Sequence, residues 1–222
     1  MSTVDRGIEN LQLRSFIGTD KWNIPQVSPC TRLDTNTFIP FNYAKTDKDP
    51  YGKGIHTFVD DYQINRVWNY PERYIELFKR FSCVMSPDYS LYTNYPLAMQ
   101  LWNHYRKMWI TAYMQEYGVN MLPVVCWSDD RSYSFCFEGM PKYGLVAVSN
   151  VGCIKGEEQK YLFKQGYEKM LETLRPDGIV FYGQPPEWMD MTDVVLIGKS
   201  HDRFDSYTDG EEDKEWADEE AH

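Results

Sequence analysis

Apolar residues along the chain occur in short continuous runs, which alternate with longer stretches whose apolar residues recur at helical spacing. The short runs predict buried parallel strands, and the longer stretches predict amphipathic helices that cover them. The predicted strands are residues 55–59, 83–86, 119–127, 144–150, 179–183 and 194–199. The predicted helices are residues 71–81, 96–117 and 157–174, with a short helical turn at 132–137.

This alternation indicates an α/β domain built on a parallel sheet. Two architectures share it: an incomplete or distorted barrel of the TIM type, and an open doubly wound sheet. Polar residues follow every predicted strand, whereas an open sheet usually concentrates them at one or two switch points. We therefore favour the barrel-like form and keep the open sheet as the alternative.

Proline and charge divide the chain into three regions. Residues 1–50 contain four prolines and little periodicity, which predicts an irregular N-terminal arm before an α/β domain over 51–200. The net charge of the 222 residues is -10. Ten acidic and two basic residues in 201–222 contribute -8, which leaves -2 for the rest. Such a composition predicts a disordered acidic tail over 201–222.

Composition also argues against several classes of partner. Residues 1–200 carry a net charge of only -2, so this part of the chain lacks the basic surface of a nucleic-acid-binding protein. No apolar run is long enough to cross a bilayer and no signal pattern is present, so we expect a cytoplasmic protein without a membrane partner. The five cysteines show no paired spacing, which predicts free thiols in a reducing compartment.

Polar residues at the ends of the predicted strands mark the expected site, because both architectures bind ligands at the carboxyl ends of parallel strands. Several carboxylates gathered there can act as general acid and base or bind a divalent cation, and the pattern leaves both open. The candidate catalytic residues are Asp60, Asp61, Asp88 and Asp129. The candidate ligand-binding residues are Ser86, Ser90, Trp127, Ser128, Ser149, Asn150 and Tyr182.

Each candidate also has a structural interpretation. Aspartate and serine after a strand are ordinary helix caps, and Trp127 can simply be packed in the core. Asp88 stands apart, because Pro96 sets the start of the next helix too far away for Asp88 to be its cap. His56 near Asp60 is a weaker candidate base, and we expect His104 to lie on the helix surface.

Familiar cofactor and nucleophile motifs are missing. The chain has no Gly-x-Gly-x-x-Gly turn, no Gly-x-x-x-x-Gly-Lys phosphate loop and no Gly-x-Ser-x-Gly elbow. The sequence therefore indicates no particular cofactor.

Four blocks of sequence together resemble the family called domain of unknown function 4417, which occurs in bacteria, phages and mobile elements. The blocks are FVDDYQINRVWNYPERY, VMSPDYSLYTNYPLAMQLWNHYR, LPVVCWSDDRSYSFCFEGMP and VAVSNVGC. The resemblance covers about residues 20–183 and leaves out the acidic tail. It implies a phage or mobile-element origin, and it brings no catalytic roles to carry over.

Two functions from different classes fit these observations. The first is a small-molecule site at the strand ends for a nucleotide-, sugar- or phosphate-like ligand, with hydrolysis as one reaction that the lining could support. The second is a non-enzymatic interaction protein that engages a host protein, for which the tail and the proline-rich arm would be suited. A deep pocket around the aspartates would favour the first.

Overall fold

The computed structural model describes residues 10–18 and 20–197. The predicted acidic tail lies outside these residues. The strands are β1 (Phe38–Pro40), β2 (Gly54–His56), β3 (Cys83–Met85), β4 (Met121–Leu122), β5 (Leu145–Ser149), β6 (Gly178–Tyr182) and β7 (Val194–Ile197). The helices are α1 (Asp61–Asn69), α2 (Glu72–Phe78), α3 (Leu97–Glu116) and α4 (Glu157–Leu174), with 3-10 turns at Phe41–Tyr43 and Asp130–Ser134.

Every strand pairing in the described residues is parallel, and neighbours in the sheet are neighbours in the chain. One sheet has the order β1-β2-β3-β4 and the other β5-β6-β7, with Ile55 opposite Val84 and Val148 opposite Phe181. The two sheets meet at Ala147. The Ala147 amide donates to the Pro123 carbonyl at 2.8 Å, and the Val125 amide donates to the Ala147 carbonyl at 2.9 Å.

The sheet curls so that strands from its two halves touch. The His56 ring at the end of β2 stacks on Tyr182 of β6 with a centroid distance of 4.8 Å, and Phe58 stacks on Tyr182 at 5.0 Å. Within the described residues β1 and β7 do not pair, so no closed barrel forms. The predicted α/β fold, with a parallel sheet and alternating helices, is confirmed.

Side chains along the strands alternate between two layers, as the pleat requires. Cys83 and Met85 of β3 join Ala147 and Val180 in the layer on the inner side of the curl. Val84 points to the other side, into the core beneath α1, α2 and α3. The inner strands β2 to β6 are largely buried on both faces, which explains why they form continuous apolar runs, whereas β1 and β7 are partly exposed.

Helix α3 is buried on two opposite faces. Its apolar face includes Trp109, which stacks on Tyr113 at 4.8 Å and meets Trp68 of α1 edge-on at 5.5 Å. The opposite face is polar and also buried, and its members are Gln100, Asn103, His104, Lys107 and Thr111. The expectation that His104 lies on the surface was wrong, because it is 1% exposed.

The structure adds a strand and an α-helix to the predicted elements. Residues 38–40, within the segment predicted as an irregular arm, form strand β1 and pair with β2. Residues 61–69, which had no predicted element, form α1 and bury Ile64, Val67 and Trp68. No helix in the described part of the chain is long and apolar enough to cross a membrane.

The Ser86 side chain extends the pairing of β3 with β4 beyond the strands. Its Oγ accepts a hydrogen bond from the Val124 amide at 2.7 Å, and its amide donates to the Leu122 carbonyl at 2.9 Å. Ser86 and Val124 are both buried. The strand-end serine therefore holds β4 in place beside its junction with β5.

We expect Ser86→Ala to lower the free energy of unfolding by about 1–3 kcal/mol, because the buried Val124 amide would lose its only acceptor at that position. Chemical denaturation monitored by circular dichroism measures the change. Ser134→Ala, which removes an exposed hydroxyl bonded to the Arg131 carbonyl, is the matched control. Equal costs for the two variants would contradict the role assigned to Ser86.

Candidate functional site

The segment from Ser86 to Ser90, which leaves the end of β3, is held by hydrogen bonds at both ends. The Thr57 hydroxyl donates to the Ser86 carbonyl at 2.6 Å. The Ser90 hydroxyl donates to the Asp61 carboxylate at 2.9 Å, and the Ser90 amide lies 3.2 Å from both of its oxygens. Asn103 of α3 donates to the Ser90 carbonyl at 2.8 Å. The backbone around Asp88 is therefore fixed from two helices and a neighbouring strand.

Tyr89 anchors the middle of this segment. Its ring is buried, and the Arg106 guanidinium lies over it with 4.0 Å between the guanidinium carbon and the ring centroid. Arg106 is itself held by hydrogen bonds to Asn103 at 2.6 Å and to Asn65 of α1 at 3.0 Å. Tyr89 thus fixes in the core the residue that directly follows Asp88 in the chain.

Asp88 lies in a cluster with Lys107 and Cys126. Lys107 extends from the polar face of α3, is 1% exposed, and places its Nζ 3.2 Å from the Cys126 Sγ. Cys126 follows β4, and its thiol donates to the Tyr89 carbonyl at 3.8 Å, close enough to Asp88 to help lower the pKa of that carboxyl. A carboxyl, an ammonium and a thiol are thus brought together from β3, α3 and β4.

Desolvation dominates the electrostatics of this cluster, in which Lys107 is buried and Asp88 and Cys126 are half-buried. Desolvation raises the pKa of Asp88 to about 6, with a smaller increase from the charge of Asp61, while Lys107 and the Cys126 thiol oppose the rise. Burial likewise raises the pKa of Cys126 to about 12, although Lys107 opposes that rise. At neutral pH the cluster therefore holds a neutral thiol and a carboxylate that can take up or release a proton close to physiological pH.

The end of β5 reaches the same cluster. Cys153 is exposed, yet partial desolvation and, to a lesser extent, the charge of the nearby Asp88 raise the pKa of its thiol. Cys153 belongs to the turn after β5, where its amide donates to the Asn150 carbonyl at 3.0 Å. The ends of β3, β4 and β5 therefore converge, as the parallel order leads us to expect, and we call the edge of the sheet where they meet the mouth.

The other predicted catalytic carboxylates occupy different positions. Asp61 binds Ser90 and supports the Asp88 segment. Asp60 is exposed at the start of α1 and its side chain forms no capping bond. Asp129 accepts from the Arg131 amide and pairs with the Arg131 side chain at 2.6 Å, which lowers the pKa of Asp129. Of these four carboxylates, Asp61 is close enough to Asp88 for its charge to raise the pKa of Asp88. Asp129 is the N-cap residue of the 3-10 turn Asp130–Ser134.

Most predicted ligand-binding side chains make structural hydrogen bonds. The Ser128 hydroxyl donates to Gln100 Oε1 at 2.6 Å, and Asn150 Nδ2 donates to the Gln184 carbonyl at 2.6 Å. Ser149 Oγ accepts from the Val151 amide at 3.1 Å. These contacts fix the loops around the mouth, and a direct role for these residues in binding stays a prediction.

The two predicted aromatic ligand-binding residues are packed. Trp127 lies 5.4 Å from the Phe163 ring of α4, and its indole lies so close to Gly166 that a side chain there would collide with it. Tyr182 is buried in the stack with His56 and Phe58. Burial lowers the pKa of His56 to about 4, so this histidine is neutral near pH 7.

Two members of the cluster, Lys107 and Cys126, were not among the predicted site residues. In the sequence, Cys126 has the pattern of an ordinary buried strand thiol, and Lys107 lies outside the apolar stripe of α3. The signal that could have found Lys107 is a second stripe, in which polar residues recur at helical spacing on the face opposite the tryptophans.

A metal centre has little support. Across residues 10–18 and 20–197, no group of three or more His, Cys, Asp or Glu side chains is arranged to hold a metal ion. The Asp88 cluster contains one ammonium, and an adjacent cation would be repelled by it.

Comparison with known proteins identifies relatives among phages. The family model described as "Domain of unknown function (DUF4417)" matches residues 17–199. The Gene 1 protein of Mycobacterium phage L5 is 32% identical over 198 residues, covering 86% of this chain and 84% of that protein. The Gene 1 protein of Mycobacterium phage D29 is 31% identical over 191 residues, covering 82% and 68%. No solved structure matches.

We expect Asp88→Asn to stabilise the protein at pH 7.5 by about 1–3 kcal/mol. A native pKa of about 6 exceeds the usual value of an unfolded aspartate, so the folded state favours the protonated acid. Stability from this group is present at low pH and is lost as the pH rises towards 6. Asparagine resembles the protonated acid, so its advantage should disappear near pH 4.

Thermal melts of both proteins at pH 4 and 7.5 test this dependence. Asp60→Asn makes the same chemical change at an exposed position near the same mouth, and we expect no difference at either pH. A variant Asp88→Asn that is less stable than the parent at pH 7.5 would show that the carboxylate has a structural role.

Proposed function

Because this chain belongs to the DUF4417 family, whose relatives include phage Gene 1 proteins, we propose that it is a phage-type protein that binds a small polar ligand at the carboxyl ends of its parallel strands. The observation that carries the proposal is the cluster of Asp88, Lys107 and Cys126. A carboxyl lies there although desolvation disfavours its charge, and a pKa perturbed in this way is typical of groups that serve a ligand or a reaction.

The chemistry that fits this cluster is proton transfer at Asp88. A carboxylate with a pKa of about 6 is mostly ionised at pH 7 and can accept a proton from a water molecule or a ligand hydroxyl. The charge of Lys107 would stabilise negative charge that develops on the ligand. Cys126, with a pKa of about 12, is unsuited to act as a thiolate nucleophile.

The proposed reaction is therefore hydrolysis with water as the nucleophile. Asp88 would take a proton from the water as its oxygen attacks a phosphoryl or glycosyl centre, and the protonated acid would return that proton to the leaving group. A nucleotide-, sugar- or phosphate-like ligand suits the mixture of one cation, one carboxyl and hydroxyl-bearing loops. Asp61 and Asn103 would act by positioning the segment that carries Asp88.

Native mass spectrometry of protein purified under non-denaturing conditions tests binding. We expect the parent protein and Asp60→Asn to carry an extra small-molecule mass that disappears on denaturation, and Asp88→Asn to lose it. In parallel, hydrolysis of a panel of nucleotides and sugar phosphates should increase as the pH rises through 6, with this increase absent in Asp88→Asn. The proposal fails if Asp88→Asn matches the parent in both measurements.

A second function, engagement of a host protein, is favoured by exposed apolar side chains near the start of α3. Tyr92, Leu97, Met99 and Trp102 are between 36% and 55% exposed within eleven consecutive residues. Large exposed apolar side chains gathered in a short segment are candidates for a protein interface.

A photo-crosslinking amino acid placed at position 99 tests the second function. We expect it to capture one discrete host protein, whereas the same group at the exposed Tyr143 should not. Identical capture at both positions would indicate non-specific contact and would count against an interface at the start of α3.

A further inference from the structure

A cleft opens on the outer surface between α4 and the segment that connects β6 to β7. This connection, residues 183–193, contains no helix, unlike the connections that carry α3 and α4. The layer of chain that covers this side of the sheet is consequently thin there, and it leaves a cavity of about 290 Å³. Its walls include Tyr167, Glu168, Leu171, Trp188, Asp190 and Asp193.

The cleft lies far from the Asp88 cluster. Its floor is formed by Gly178 and Ile179 at the beginning of β6, whereas Asp88 lies beyond the end of β3. In a parallel sheet these are opposite edges, separated by a strand length of about 16 Å at 3.3 Å per residue. Any ligand of the cleft is therefore independent of the small-molecule site proposed above.

The exposed Trp188 gives the cleft an aromatic wall that attracts cations, and the buried Tyr167 ring packs behind it. Trp188 is 39% exposed and meets Tyr167 edge-on with 5.5 Å between centroids. The chain already uses this indole to hold a cation, because Lys164 Nζ lies 5.7 Å from the Trp188 ring centroid. Cations near the faces of such rings are attracted by their quadrupoles.

Carboxylates surround the same opening. Asp190 accepts a hydrogen bond from the Thr192 amide at 2.9 Å, and such bonds lower its pKa, so it stays ionised at neutral pH. Asp193 is exposed on the adjoining turn. Glu168 makes an exposed contact with Lys164 at 3.8 Å, and pairs of this kind contribute little. The opening is therefore negative as well as aromatic.

We propose that this cleft binds the guanidinium group of an arginine presented by a partner protein. The guanidinium is planar, stacks on aromatic rings and forms paired hydrogen bonds with carboxylates, so it matches both kinds of wall. A lysine ammonium would use the charge but not the paired geometry. The cavity volume suits one long side chain, and the remainder of the partner would lie on the exposed surface around it.

The probe is a peptide of four Gly-Arg repeats, titrated into the full-length protein while the indole N–H signal of Trp188 is followed by NMR. The signal is assigned by its absence in Trp188→Phe. We expect a saturable shift, weaker binding of the Gly-Lys counterpart, and still weaker binding of N-acetylarginine amide. Asp190→Asn with Asp193→Asn should raise the Kd about tenfold through lost charge-assisted hydrogen bonds.

The control is Asp213→Asn with Asp218→Asn, which removes the same charge from the acidic C-terminal region. The Asp193→Asn substitution should not disturb folding, because asparagine tolerates the left-handed φ of 59° found at that position. Three results would overturn the proposal: an unmoved Trp188 signal, equal weakening by both double variants, or binding of N-acetylarginine amide as tight as that of the peptide. If both double variants weakened peptide binding equally, the peptide would be held only by general attraction to the negatively charged protein.

Discussion

The pair of backbone hydrogen bonds at Ala147 holds together the two halves of the sheet, and the arrangement of the mouth depends on it. Parallel pairing in chain order brings all strand ends to one edge only if the sheet is continuous from β1 to β7. Pro123 has no amide hydrogen, but its carbonyl remains available as the acceptor for Ala147. Ser86 then supplies from its side chain the acceptor that Val124 needs. A proline directly after the short strand β4 is thereby accommodated between the two halves of the sheet.

Asp88 shows how a fold can hold a carboxylate in an unfavourable environment. Its own solvation is poor, and its attraction to Lys107 offsets only part of the loss. The surrounding contacts, from Asp61 to Ser90 and from Arg106 to the Tyr89 ring, stabilise the backbone on either side. Local destabilisation at one side chain is tolerated because each neighbouring residue is held by several contacts. This arrangement is common at functional sites.

Much of the fold could be predicted, because buried strands and amphipathic helices leave periodic patterns. Helix α4 was predicted with its observed bounds, and α3 within one residue at each end. Strand β1 was missed because Phe38–Pro40 is short and ends in proline, and its pairing with β2 depends on long-range contacts. Asp88 was singled out in the sequence from its position after a strand, and its role in a site stays a prediction. Lys107 was not, since a buried lysine is recognisable only when the loops that cover it are known.

The polar face of α3 has a consequence for the order of folding. Its hydrogen bonds to Ser90, Cys126, Ser128 and the Glu138 carbonyl span only 13 to 34 residues. By contrast, the bond from the Trp109 indole to the Arg14 carbonyl spans 95 residues. Closing a short loop costs less chain entropy than closing a long one. The central third of the chain can thus gather around α3 as a nucleus, and the N-terminal region would dock onto it afterwards.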